Sequence, residues 1–172
     1  GVELRGRTLG IVGFGRIGQA LAKLAIGAGM KVIFSDMHDN HVDVELEFFD
    51  GQKARFTCEN VGFKRVLSES DFISVHVPGG DLIGKNEISK MKEGVFIMNA
   101  SRGGVVNEEA LLEAIESGKV AGAGLDVYTN EPTPAVKVLM NGKVSITPHI
   151  GAATLEAQDR IGTELASHID EL

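Results

Sequence analysis

Cysteine is nearly missing: Cys58 is the only one in 172 residues. A lone thiol excludes an internal disulfide framework and a cysteine zinc cluster, and it suggests a reducing compartment, so a cytoplasmic location is expected. Long apolar runs are missing too. None reaches the 18 residues that suggest a membrane-spanning helix, so no membrane partner is expected. Gly1 to Leu9 holds two arginines and no apolar h-region, so it does not read as a secretory signal. Basic charge is also scarce, with 17 Lys and Arg against 24 Asp and Glu and a net charge of -7. Duplex nucleic acid is therefore not an expected partner, because phosphate binding needs clustered Lys and Arg. No internal repeat or low-complexity tract is visible.

What is present fits one globular domain. The chain is 43% apolar and 24% charged, a balance unlike that of a disordered chain. Glycine is in excess, 22 of 172 or about 13%, against a usual ~7%. It sits among apolar runs of strand length, which implies tight turns and close backbone approaches.

Strand-like and helix-like segments alternate. Thr8–Val12, Lys31–Ser35, Phe72–Val77, Val95–Met98, Ala121–Leu125 and Val144–Ile146 read as short buried strands. A helix is expected over Arg16–Ala28, with Ile17, Leu21, Leu24 and Ala25 on its apolar face and Gly29 as its stop. Asn86–Met91 and Asn107–Ser117 also look helical. The second has Asn107 as N-cap, Glu108 and Glu109 in its first turn and Gly118 as its stop. A long helix is expected over Ala152–Leu172. Strands this apolar, separated by helices, indicate a parallel sheet covered on both faces. The expected fold is α/β, a doubly wound parallel sheet, with residues 1–172 as one domain.

Residues 44–58 break the rhythm. Two strand-like stretches flank Asp50-Gly51, a strong hairpin-turn pair, and the surrounding residues 36–60 hold seven acidic and two basic side chains. This is expected to be a β-hairpin inserted after the second strand: a solvated excursion, or alternatively a subunit contact or a lid over the adenine end. His38-Asp39-Asn40-His41-Val42-Asp43 carries ligand-type side chains, but their spacing matches no zinc pattern and no metal site is expected.

Gly13-x-Gly15-x-x-Gly18 follows the first strand and opens a helix. In that setting the first glycine permits a tight turn, the second lets backbone approach a pyrophosphate, and the third lets helix and strand pack closely. The helix N-terminus adds free N–H groups and the positive end of its dipole. Asp36 ends the next strand, 21 residues after Gly15, where an acid about 20 residues on accepts a ribose 2′-OH. A carboxylate there repels a 2′-phosphate, so NAD is favoured over NADP, and residues 1–172 are expected to be one dinucleotide-binding domain of Rossmann type.

Three later residues each follow a buried run, at the strand ends where open parallel sheets bind ligands. They are Arg102, Glu131 and His149. An imidazole suits the proton transfer that accompanies hydride transfer at an alcohol carbon. A carboxylate beside it orients its tautomer and favours the charged form. A guanidinium can hold a substrate carboxylate in a bidentate fork. Singly, each has a bland alternative: a strand-end cap, a surface ion pair, an ordinary Glu-Pro turn.

Together, Gly13-Phe14-Gly15-Arg16-Ile17-Gly18, Ser74–Pro78, Asn99–Glu108, Gly122–Pro132 and Thr147–Thr154 resemble the D-isomer-specific 2-hydroxyacid dehydrogenase family across nearly the whole chain. The stretches Ser101–Gly104 and Val120–Val127 most resemble its phosphoglycerate dehydrogenase branch. The resemblance implies that Arg102 binds substrate, that His149 is the acid/base and that Glu131 is its partner. It also places Asp126, Val77, Pro78 and Ala100 near the nicotinamide. Arg16, Ile17, Ser101 and Gly151 complete the cofactor-binding residues it implies. A homodimer through the cofactor domain is implied as well.

The loop Pro78–Ile83 is shorter than the family's, and the hairpin after Asp36 is atypical. The family's substrate domain is built mainly from sequence before the cofactor domain, so this chain reads as the cofactor half, with a small 2-hydroxy or 2-keto acid as partner. Two rivals belong to other classes. An NAD(H)-sensing binding protein of the corepressor type has no need of Arg102, Glu131 and His149. A methyltransferase-like nucleotide fold would bind S-adenosylmethionine.

Overall fold

The computed structural model describes residues 1–38 and 40–170, with side chains described up to Thr163. Asp39 of the His38–Asp43 stretch, and the last two positions of the expected C-terminal helix, lie outside the described residues. The elements are β1 Thr8–Val12, α1 Arg16–Gly27, β2 Lys31–Ser35, β3 His41–Glu47, β4 Lys53–Asn60, α2 Phe63–Glu69, β5 Phe72–Val75, α3 Lys85–Ser89, β6 Val95–Asn99, α4 Glu108–Glu116, β7 Val120–Leu125, α5 Val136–Leu139, β8 Val144–Ile146 and α6 Leu155–Asp170. They form one eight-stranded sheet in the order β3-β4-β2-β1-β5-β6-β7-β8. Only the β3–β4 pair is antiparallel. The doubly wound α/β expectation holds. α2 and the four-residue α5 fall where the sequence pattern assigned no element.

The strand order reverses at β1, which lies between β2 and β5. Such a switch point opens a crevice at the carboxyl ends of the strands. One face buries Leu9, Ile11, Phe14, Ala22, Ala25 and Phe34 beneath α1. The other buries Val66 and Leu67 of α2, Ile73, Ile97, Leu111 and Ile115 of α4 in the larger core. Cover is uneven: Phe72 and Phe96 point to the α1 side and stack on each other at 4.9 Å, yet both are only half-buried.

The apolar face of α1 differs from expectation. Gly18, Ala22 and Ala25 face the sheet, while Ile17 and Leu24 are 66% and 74% exposed. The cause is proximity: a Cβ on Gly18 would overlap the Gly13 carbonyl, so only small residues fit between helix and strand. Leu21 is half-buried at the margin.

The hairpin is a larger correction. It is not a solvated excursion but the edge of the main sheet, with β4 pairing parallel to β2 through Ile33–Glu59 and Phe34–Asn60. Alternation explains this. Val44 and Cys58 are buried in the α1-side core, while Glu45 and Glu47 pair with Lys53 and Arg55 on the outer face. The outer face and the tip remain in solvent, with Phe49 fully exposed. No helix among the described residues is long and apolar enough to cross a membrane.

Candidate cofactor and catalytic site

The three glycines of the first loop do three separable things. Gly13 has φ +88°, and a Cβ there would overlap the His76 carbonyl, so the turn after β1 nests against the end of β5. Gly18 admits the close approach of α1. Gly15 is different: its backbone is extended, and nothing lies within 4 Å of where a Cβ would sit. That open space faces the first turn of α1, whose N-cap makes no side-chain hydrogen bond. The N-terminus of α1, where the positive end of the helix dipole lies, suits a pyrophosphate. Phe14 anchors the loop by stacking on Phe34 at 3.9 Å. Arg16 and Ile17 flank the opening as exposed residues.

Asp36 closes this loop from β2. Its Oδ2 accepts the Phe14 N–H at 2.6 Å and its Oδ1 accepts the His38 N–H at 3.2 Å. The Phe14 amide holds the carboxyl below its ordinary range, outweighing partial burial. Asn60, at the end of β4, donates its side-chain amide to the Asp36 carbonyl at 2.7 Å, so the hairpin braces the acid. The folded value is depressed, so this bond contributes stability above the ordinary carboxylate range and loses it as pH falls through the lowered value. A carboxyl-carbon NMR titration is expected to show Asp36 titrating below a free aspartate, and the Phe14 amide resonance moving with it. This cradle fits a dinucleotide: a gap that a Cβ would fill, the N-terminus of a helix and an anion beside it.

The second cluster lies farther along the same sheet edge. Asn99 of β6 pairs with Leu125 of β7, which pairs with Ile146 of β8. The loops bearing Arg102, Glu131 and His149 therefore leave the sheet side by side. Asp126 organises the last of them. Its Oδ1 accepts from the Thr147 hydroxyl at 2.5 Å and the Ile150 N–H at 2.9 Å, and its Oδ2 from the Gly151 N–H at 2.9 Å. Burial pushes this carboxyl up, but these three donors outweigh it and the net shift is downward. The bracketed residue, His149, has φ +54°. A non-glycine residue in that region costs about 1–3 kcal/mol and persists only when its surroundings over-determine it.

His149 Nδ1 lies 2.7 Å from Glu131 Oε2, and Glu131 Oε1 accepts the Tyr128 N–H at 3.0 Å. The pairing with His149, and then the Tyr128 amide, hold the Glu131 carboxyl below its usual range. With Nδ1 facing a carboxylate, Nε2 is the ring nitrogen turned away from it.

Arg102 is brought to this edge but not into contact with that pair among the described residues; its guanidinium donates to the Ser101 carbonyl at 2.7 Å. The loop itself is fixed. Asn99 accepts from the Ser101 amide and hydroxyl and donates to the Arg102 carbonyl. A Cβ on Gly103 would overlap the Tyr128 carbonyl, so this loop presses backbone to backbone on the segment leading to Glu131. The short Pro78–Ile83 loop lands here as well, with Leu82 and Ile83 donating to the Val105 carbonyl. Val77 follows β5 beside Gly13, Pro78 and Ala100 are exposed, and Ser101 is buried.

Sequence reasoning missed the supports. Asn99 had a local signal, since Asn followed two residues later by Ser suits an Asx turn. Tyr128 and Thr147 had none, because their partners are fixed only by sheet register.

A glycine-loop βαβ unit with an acid ending its second strand, and a paired imidazole and carboxylate on the same edge, define a dinucleotide-binding domain of the dehydrogenase type. The chain belongs to the D-isomer specific 2-hydroxyacid dehydrogenase family, whose NAD binding domain matches residues 1–151. It is 46% identical over 98% of its length to a hydroxypyruvate reductase of Thermotoga maritima, covering 54% of that protein. It is 41% identical over 98% to a D-3-phosphoglycerate dehydrogenase of Mycobacterium leprae, covering 31%. Among solved structures, a glyoxylate reductase from Paecilomyes thermophila matches with TM-score 0.81 and 37% identity, over 95% of this chain and 48% of that one. A D-lactate dehydrogenase from Aquifex aeolicus complexed with NAD and lactic acid matches with TM-score 0.78 and 33% identity, over 98% and 54%. The chain thus spans about half or less of the length of these relatives.

Proposed function

We propose that residues 1–172 are the cofactor domain of an NAD-dependent oxidoreductase that interconverts a D-2-hydroxy acid and its 2-keto acid. The observation that carries this reading is the 2.7 Å contact between His149 Nδ1 and Glu131 Oε2, on the same sheet edge as the glycine loop. Gly13, Gly15 and Gly18 with the start of α1 hold the pyrophosphate. Asp36 accepts the ribose hydroxyls, and Val77, Pro78, Ala100, Ser101, Asp126 and Gly151 line the nicotinamide end. Bound NAD supplies the hydride acceptor, or the donor when reduced.

The remaining chemistry belongs to this chain. Arg102 holds the substrate carboxylate and polarises the neighbouring oxygen. His149 takes the proton of the hydroxyl group at Nε2 during oxidation, or returns it to the keto oxygen during reduction. Glu131 fixes the tautomer and stabilises the imidazolium. A cytoplasmic location and pairing of two copies through their cofactor domains accompany this reading.

The test starts with NADH and NADPH titrations followed by cofactor fluorescence, which no tryptophan complicates. NADH is expected to saturate and NADPH to bind more weakly. Asp36→Ala is expected to weaken NADH about tenfold or more and to narrow the gap to NADPH, as loss of a hydrogen bond to a charged group does. Turnover assays with hydroxypyruvate and glyoxylate follow. Tight NADH binding by the full-length protein with no turnover on any 2-keto acid would overturn the enzymatic reading, since the isolated cofactor half is expected to turn over poorly.

A further inference from the structure

Tyr128 is the only tyrosine in the chain. It is 6% exposed and belongs to the larger core, so a phenylalanine would satisfy its packing. Its hydroxyl sits between the ends of β7 and β8, donating to the Thr147 carbonyl at 2.6 Å and sharing that proton with the Leu125 carbonyl at 3.1 Å. A phenol has one proton to give, and the shorter contact goes to Thr147. Burial pushes its ionisation up, so it stays a donor.

The Thr147 carbonyl has a second role. It accepts the His149 N–H at 3.1 Å, closing the tight turn over Pro148 that puts His149 at φ +54°. Asp126 secures the other atoms around this turn, namely the Thr147 hydroxyl and the amides of Ile150 and Gly151. Tyr128 reaches all three loops. Its hydroxyl holds the turn of His149, its N–H holds Glu131, and its carbonyl abuts Gly103 beside Arg102.

We propose that Tyr128 is the positioning residue of the His149–Glu131 pair, its hydroxyl pinning the Thr147 carbonyl so that the imidazole meets the carboxylate. This rests on the reading that the pair carries the substrate proton. The geometric part can be tested without turnover.

The experiment is NMR of the whole chain with 15N-labelled histidine, following the His149 Nδ1–H proton shared with Glu131 and assigned by its loss in His149→Asn. In Tyr128→Phe, which keeps the ring, the N–H and the carbonyl, that proton is expected to move upfield and to exchange about tenfold faster as the turn opens. NADH affinity is expected to hold within about twofold, since the glycine loop shares no partner with Tyr128. Where turnover is measured, kcat falls about tenfold with KM little changed. An unaltered His149 proton overturns the proposal, as does a variant that loses stability but keeps kcat. Should Tyr128→Phe fail to fold, 3-fluorotyrosine incorporation perturbs this one hydroxyl alone, and a His149 proton indifferent to the fluorine overturns the proposal equally. If the full-length protein turns over no 2-keto acid, the catalytic reading fails while the NMR result still decides the positioning role.

Discussion

His149→Asn is expected to cut 2-keto acid reduction by about 10²–10⁴-fold, the usual worth of a positioned general acid or base, while NADH still binds normally. The two halves of that expectation come from separate parts of the structure. The imidazole lies beyond β8, with its Nδ1 on Glu131. The cofactor cradle lies at β1, α1 and β2, and its polar contacts run through Phe14, Asp36 and Asn60. Asparagine preserves a polar side chain in that loop but has no group that gives or takes a proton near neutral pH. Glu131→Gln gives a graded control. It keeps an acceptor for the Tyr128 amide but removes the charge that faces Nδ1, so a smaller loss of about ten- to a hundredfold is expected. Stopped-flow or steady-state loss of NADH absorbance measures both. Equal losses in turnover and in NADH affinity for His149→Asn would show that the loop supports folding rather than proton transfer.

The pair shows how far sequence carries. Periodicity located β1, α1, β2 and the strands that end near Arg102, Glu131 and His149, because apolar runs and glycine stops are local signals. The glycine loop was legible for the same reason: each glycine answers to a neighbour within the same βαβ unit. What sequence could not supply was register. Asn99, Leu125 and Ile146 are level only because three parallel strands pair in a particular alignment. Tyr128 and Asp126 acquire their partners from that alignment. The α1 face went astray through a physical competition. Ile17 and Leu24 follow helical spacing, yet the approach fixed by Gly18 leaves no room for large side chains against β1, and alanines take the buried stripe. The hairpin was recognised by its turn, but charge density suggested solvent. Its alternation hid a buried face, and Val44 and Cys58 carry it into the core.

Gly15→Val and Gly13→Ala are expected to fail in opposite ways, although both remove a loop glycine. At Gly15 the backbone is extended, a region that β-branched residues prefer, and the space beyond Cα is open. Valine should therefore leave thermal stability nearly unchanged. Its two methyls would stand in front of the first amides of α1, where the pyrophosphate is to lie, and NADH affinity should fall about a hundredfold or more as those N–H groups lose their ligand. At Gly13 both arguments reverse. The residue sits at φ +88°, and a Cβ would overlap the His76 carbonyl, which is backbone and cannot rotate aside. Alanine there should cost about 2–4 kcal/mol through strain and displaced packing between β1 and β5. A thermal melt beside an NADH titration separates the cases: Gly15→Val as a stable chain that binds poorly, Gly13→Ala as a destabilised one. A Gly15→Val chain that melts early would mean that the gap beside Gly15 belongs to the fold. One that is stable and still binds NADH tightly would remove the pyrophosphate from α1 and, with it, the cofactor assignment of the glycine loop.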